Sequence, residues 1–536
     1  MLRTIAAAIT TLCFASSCSI HPQQAELGRI DFPTSQSGEA QSLFLRGVLF
    51  LHSFQYREAR EAFRAAQKTA PAFAMAYWGE AMTYNEPLWF AQDVHAARAV
   101  LKRLGATRQA RQAKAPTERE AAYLNAVEIL YGDGRKEDRD FEYAATMRRL
   151  RERYPNDTEA AAFFGLALLG TSHRGRDFPT YMQAAAIVEE ILAKNPEHPG
   201  ALHYAIHCYD DPVHAPLGLR AARAYAKTAP EASHAQHMPS HIFFAMGMWD
   251  DAVRSNEGAF RVSQRNAKRT GQAMESGGYH ALWWLQYAYL QQGRFADARK
   301  IVQRIERLAA GEPAPLVRFH LVQMRAMYSI ETGEPYELPT TVSGLDLPAV
   351  AAHHLATGMS ALNRGNREEA ERALAAIRTL GAATEPRARG HHADHVYPGD
   401  AQAVSVMDKE LAALLLMEDG KSKDAMDLMR AAVATQDQTP YEFGPPSPPK
   451  PPHELLGEML LSLAQPRLAR VQFELALLRA PKRALSLLGL ARSFADMGHQ
   501  TAAREAYLEL RQMWHRADPS IVKALDQSLS RLQARE

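Results

Sequence analysis

The chain of 536 residues has three cysteines, too few to staple a fold with disulfides. Two of them, Cys13 and Cys18, lie near the N-terminus, which leaves Cys208 without a bonding partner in the body of the chain. Neither sign of charge is in excess: 62 basic residues stand against 60 acidic ones. No basic stripe interleaved with aromatics is present, which excludes nucleic acid as the expected partner. Beyond the N-terminal segment there is no apolar run of membrane-spanning length. HExxH, a glycine-rich phosphate loop, GxSxG and CxxC are all missing, and with them the common metalloprotease, nucleotide, hydrolase and dithiol chemistries. Alternating Val, Ile and Thr patterns are absent too, so almost no sheet is expected.

What the chain does have begins with a leader. Arg3 precedes an apolar run of about ten residues and then small residues, the pattern of a secretory signal. Ala15-Ser16-Ser17-Cys18 resembles a bacterial lipobox, although Leu is more usual where Ala15 stands. Export to the cell envelope is expected. Processing at Cys18 would give a lipid-anchored protein, and cleavage at a nearby small residue a free periplasmic one.

Internal repetition decides the fold. Gly47, Ala59, Ala66 and Pro71 fall at fixed offsets that Gly457, Ala469, Ala476 and Pro481 repeat near the other end. The segments Gly247 to Ala252, Gly293 to Ala298 and Gly365 to Ala370 carry the same turn. The pattern resembles the tetratricopeptide repeat, a helix–turn–helix unit of about 34 residues. That resemblance implies an all-α, right-handed solenoid of about ten to twelve repeats over most of residues 38–530. The expected organisation is a signal peptide with lipobox (1–18), a linker (19–37), N-terminal repeats (38–195) and central repeats with a histidine-rich groove (196–385). A polar, histidine-containing loop (386–405) and C-terminal repeats (406–536) follow, the latter with a proline-rich segment at 444–452. That segment, GPPSPPKPP, reads as extended polyproline II, either a spacer or a strap over a ligand.

Pro196 and Pro230 fix the repeat register independently of the histidines. In that register His203 and His207 take positions 5 and 9 of one first helix, and His237 and His241 the same positions one repeat on. The family implies that positions 2, 5, 9 and 12 line the concave groove. His234, His280 and His320 occupy position 2 of their helices, Trp283 position 5, and Asp210 and Phe244 position 12. Residues four apart share a helix face, and neighbouring helices lie about 8–10 Å apart. The pairs His203/His207 and His237/His241 are therefore expected to converge on one ion, with His234 and His280 nearby. Asp210, Asp211 and His214 are candidates for a carboxylate ligand or for hydrogen bonds that orient the rings. A nitrogen-rich set suits Zn, Cu, Fe or Ni. The alternative is a set of groove histidines bonded to backbone or to a peptide. Pro239, between His237 and His241, threatens the geometry of the second pair.

The blocks HYAIHCYDDPVHA and HAQHMPSHIFFAMGMW are also similar to a block in uncharacterised bacterial exported tetratricopeptide-repeat proteins, which implies no activity. Tyr77, Trp78, Tyr84, Asn85, Glu86 and Trp89 could frame an aromatic pocket, though repeat packing explains such residues equally well. His391, His392, Asp394 and His395 form a second, loop-borne group. Cys208 reads as small core filling. Two functions follow. In one, the chain is an exported scaffold that holds a protein or peptide segment in its groove, where Phe244, Trp283 and His320 meet the partner and the histidines can take a metal. In the other, the histidine cluster is the active site of a metal-dependent enzyme.

Overall fold

The computed structural model describes residues 26–271, 273–274, 276–310, 314–335, 341–381, 399–441 and 443–533. Consecutive helices pack in pairs from Gly38–His52 with Tyr56–Thr69 to Ala484–Asp496 with Gln500–Met513. Among the described residues the only sheet is one antiparallel pair, Asn85–Glu86 with Ala91–Gln92. The fold is a tetratricopeptide-like α-solenoid. Residues 1–25, with Cys13 and Cys18, lie outside the described residues, as do His391, His392, Asp394 and His395.

The small residues that mark the repeats work by making room for an aromatic ring. Phe63, on Tyr56–Thr69, fits between Gly47 and Gly79 of the flanking helices. A Cβ at those glycines would stand 2.6 and 2.3 Å from the ring. Phe473 uses the same slot between Gly457 and Gly489 near the other end of the chain, with Cβ distances of 2.8 and 2.2 Å. Close helix approach thus depends on the missing side chain, and the ring fills the space to interior density. At the inter-helix turns, Gly247 and Gly293 take φ of 64° and 66°, which other residues adopt at a cost.

The superhelix is wound tightly enough for distant repeats to touch. Trp249 Nε1 donates to the Lys482 carbonyl at 3.0 Å, and Trp514 Nε1 donates to that of Gln291 at 3.0 Å. On the other side the end of the first helix, His52 to Phe54, seats against Pro199–Tyr209. Residues 26–37, expected as linker, pack into the fold: Phe32 is buried among Phe44, Trp78 and Tyr123. The proline-rich segment also turns inward. Lys450 is buried and bonds Glu454 at 3.0 Å and Glu458 at 2.6 Å, while Arg483 bonds Glu454 at 2.7 Å and Glu331 at 2.6 Å. This tie holds Phe443 and Gly444 against His241 and Trp284. The chain itself thus covers part of the histidine stretch, at His207 and His241.

Candidate metal centre

His198 caps Pro199–Tyr209: its Nδ1 accepts the Ala201 N–H at 3.1 Å, and Pro199 takes the first helical position, where its missing N–H leaves no bond unmade. His203 and His207 then project one turn apart. The next first helix is divided into Ser233–His237 and Pro239–Ala245. Met238 at the junction keeps helical dihedrals of −52° and −38°. Pro239 therefore starts a segment rather than bending the chain away, and His237 and His241 still share a face.

The ring nitrogens collect into two triads. His203 Nε2 lies 3.1 Å from His207 Nε2 and 3.1 Å from His234 Nε2. His241 Nε2 lies 3.2 Å from His237 Nε2, and a ring nitrogen of His280 completes a set within 4.8 Å. Where four imidazoles around one ion were expected, the structure offers groups of three that could each hold an ion. Each i, i+4 pair takes its third nitrogen from another ring, His234 or His280. The two groups adjoin: the His207 and His241 ring centres are 5.3 Å from each other, and both rings bond Asp210.

Hydrogen bonds on the far side of four of the rings fix which nitrogen faces inward. His203 Nδ1 donates to the His52 carbonyl at 2.6 Å. His237 Nδ1 donates to Asn256 Oδ1 at 2.7 Å, and Asn256 Nδ2 is itself spent on the Ala252 carbonyl at 2.9 Å. His207 and His241 both donate from Nδ1 to one oxygen, Asp210 Oδ2, at 3.3 and 2.9 Å. The other oxygen of Asp210 pairs with Arg176, which also reaches Asp211 at 3.4 Å. Asp211 in turn accepts from His214 Nδ1 at 2.9 Å. Asp210 thus orients rings in both triads, and Asp211 and His214 hold Arg176 rather than an ion.

Both pairs consequently set lone pair against lone pair. An acceptor-only carbonyl, amide oxygen or carboxylate holds the proton at Nδ1, so each Nε2 of a neutral ring is an acceptor. Burial pushes the imidazolium forms of His203 and His237 well below their usual range and takes His241 down to about 4. Burial works against the Asp210 carboxylate too, but Arg176, His207 and His241 together hold its pKa well below normal. Two facing acceptors at 3.1–3.2 Å are unfavourable unless a cation lies between them. Nitrogens about 2.0–2.1 Å from one ion stand roughly 3.3 Å apart at the tetrahedral angle and roughly 2.9 Å at a right angle. The observed separations fall within that span.

Aromatic rings wall the centre. Phe54 meets His203 at 4.3 Å between ring centres, Trp284 stacks on His241 at 4.5 Å, and Phe443 stacks on the same ring at 4.8 Å. His203, His207, His237 and His241 are buried, whereas His234 and His280 are partly exposed. Trp283 is half-buried, 5.9 Å from His280 and 6.2 Å from His320. His320 is buried and donates to the Leu316 carbonyl at 2.9 Å. Phe244 is packed against Trp249, Trp284 and Tyr287. Neither His320 nor Phe244 therefore offers surface to a partner in the groove. Trp78 packs in the core against Tyr123 and Phe163, and Cys208 is buried, its thiol pKa pushed up by that burial.

Sequence reasoning missed a second buried group. Glu159 accepts from His52 Nε2 at 2.7 Å and from His198 Nε2 at 3.0 Å, while His52 Nδ1 accepts from the Tyr204 hydroxyl at 2.8 Å. It also missed Arg176, Asn256, Phe54 and Phe443. Only His198, just before a helix-starting proline, carried a local signal as a cap.

No known protein family profile matches the chain, and no curated protein matches it. Solved structures do. A human IFIT1 dimer with m7Gppp-AAAA is 13% identical, covering 90% of this chain and 91% of its own, with a TM-score of 0.35. Yeast Tom70 is 11% identical over 92% of this chain and 96% of its own, with a TM-score of 0.30. A tetratricopeptide repeat protein from Parabacteroides merdae is 12% identical over 70% and 99%, with a TM-score of 0.29.

Proposed function

We propose that this chain is a transition-metal protein that holds two ions, one in each histidine triad. The observation that carries the reading is the pairing of Nε2 acceptors at 3.1 and 3.2 Å, with Nδ1 of His203, His207, His237 and His241 each facing an acceptor oxygen behind the ring. Such outer hydrogen bonds are what orient and strengthen imidazole ligands. The test is metal stoichiometry. Protein stripped by a chelator and retitrated with Zn, Cu, Fe or Ni salts should take two ions per chain. The His207→Ala/His241→Ala double variant should lose both. Wild-type protein that takes up no metal across that series would end the proposal.

A catalytic use of the same centre is the second reading. The partly exposed members, His234 and His280, leave a side from which a small molecule could reach a three-coordinate ion. Cobalt-substituted protein whose visible spectrum shifts on adding azide would support it, and an unchanged spectrum would count against it.

Export and a protein partner complete the proposal. The leader read at residues 1–18 would deliver the chain to the cell envelope, and Cys18→Ser should release a lipid-anchored form into the soluble fraction. Unaltered fractionation would remove the anchor from the account. A protein partner would bind away from His207 and His241, which Phe443 covers. Pull-downs with metal-free and metal-loaded protein test that role, and a chain that retains nothing specific in either form contradicts it.

A further inference from the structure

We infer that both triads select monovalent copper, Cu(I), over a divalent ion such as Zn(II). The inference rests on the metal-binding reading above and adds the identity of the ion. Imidazole nitrogen suits zinc, copper, iron and nickel alike, so the donor atoms do not choose. Charge does. Each triad supplies three neutral nitrogens and no anionic ligand.

The carboxylate nearest to both, Asp210, is already spent. One oxygen faces the Arg176 guanidinium, and the other accepts two imidazole N–H groups. Arg176 lies between Asp210 and Asp211, so that group carries one net negative charge, which falls well short of balancing two divalent ions and comes closer to balancing two monovalent ones. The walls supply no further counterion: Phe54, Trp284 and Phe443 are uncharged, and four of the six ligand rings are buried. The cost of placing charge in such surroundings rises with its square, so a divalent ion carries about four times the penalty of a monovalent one. Coordination number points the same way. Three nitrogens satisfy Cu(I), whereas zinc keeps a fourth ligand at a tetrahedral site.

The test is a direct exchange on full-length mature protein under anaerobic conditions. The zinc-loaded chain is mixed with two equivalents of Cu(I) held by a chromophoric chelator, desalted, and analysed for both metals, with X-ray absorption at the copper edge. The expected result is displacement of both zinc ions, with a preference of at least about tenfold, and a three-coordinate, nitrogen-bound Cu(I) spectrum. Retention of zinc with copper left on the chelator would overturn the inference and leave the metal-binding reading standing. A chain that binds neither metal would overturn both. A second variant tests the cause. Phe443→Glu places a carboxylate on the partly exposed wall beside His241 and His207, and the copper preference should fall by about tenfold or more. An unchanged ratio in a variant that still binds both metals would show that charge does not set the choice.

Discussion

Two buried histidine groups lie back to back in this protein and are built on opposite rules. In the Glu159 group every donor meets an acceptor. Ala201 N–H closes on His198 Nδ1, both Nε2–H groups close on the carboxylate, and the Tyr204 hydroxyl closes on His52 Nδ1. In the triads the same kind of bookkeeping satisfies only the outer nitrogens and leaves acceptor facing acceptor. His52 belongs to both, its ring to the closed group and its carbonyl to His203. A closed network specifies a fold, and an unclosed one specifies a ligand. Histidine content alone does not separate the two. The position of each proton does.

The comparison breaks most visibly at Glu159. Glu159→Ala leaves two buried imidazole donors unmatched and should destabilise the protein by about 1–3 kcal/mol for each, read by urea denaturation. Two-metal stoichiometry should persist in whatever folds. A loss of metal without a loss of stability would mean that the two groups have been assigned the wrong way round. Next comes chelation. Stripping metal from the wild type should lower stability by about 4 kcal/mol per site if the ion was present at about a thousand times its dissociation constant. The His207→Ala/His241→Ala variant should be indifferent to chelator. Equal melting temperatures for loaded and stripped wild type would contradict the assignment.

Outer hydrogen bonds sharpen the contrast between the triads. Asp210→Asn removes the shared acceptor and should weaken metal binding about 10- to 100-fold at both sites. Asn256→Ala withdraws support from His237 alone and should weaken only one, so calorimetric titration should resolve two unequal steps. Identical isotherms for the two variants would refute the division into triads. The smallest effect concerns acid. Burial opposes charge on Glu159, but His198 and His52 hold its pKa at about 2, and burial lowers that of His52. Below about pH 6.5 the unfolded chain gains a proton at His52 that the folded chain refuses, and below about pH 4.5 it gains another at Glu159. Both shifts make stability fall with pH, the carboxylate's part being lost between about 4.5 and 2. Glu159→Gln should flatten that lower stretch, and a parallel curve would show that Glu159 does not titrate there.

The fold was legible because its determinants are local and repeated. Gly47 and Gly457 each make a slot that a Phe on the paired helix fills, and such spacing survives in the bare sequence. The i, i+4 pairs were legible for the same reason. Their sorting was not. Whether His237 pairs inward with His207 or with His280 depends on the rotation between helices, which no spacing encodes. The walls were hidden for another reason. Phe54 and Phe443 reach the histidines from chain positions far from both blocks, through the tight winding of the superhelix. Pro239, which looked disruptive, was absorbed because a helix segment could begin there.

The most direct test of the account is copper and zinc quantification on retitrated wild-type protein beside single His203→Ala and His241→Ala variants. Two triads predict two ions in the wild type and one in each variant, with nitrogen-only coordination of the ion that remains. One ion in the wild type that either substitution abolishes would instead mean a single four-histidine site, and no ion at all would mean that there is no metal centre.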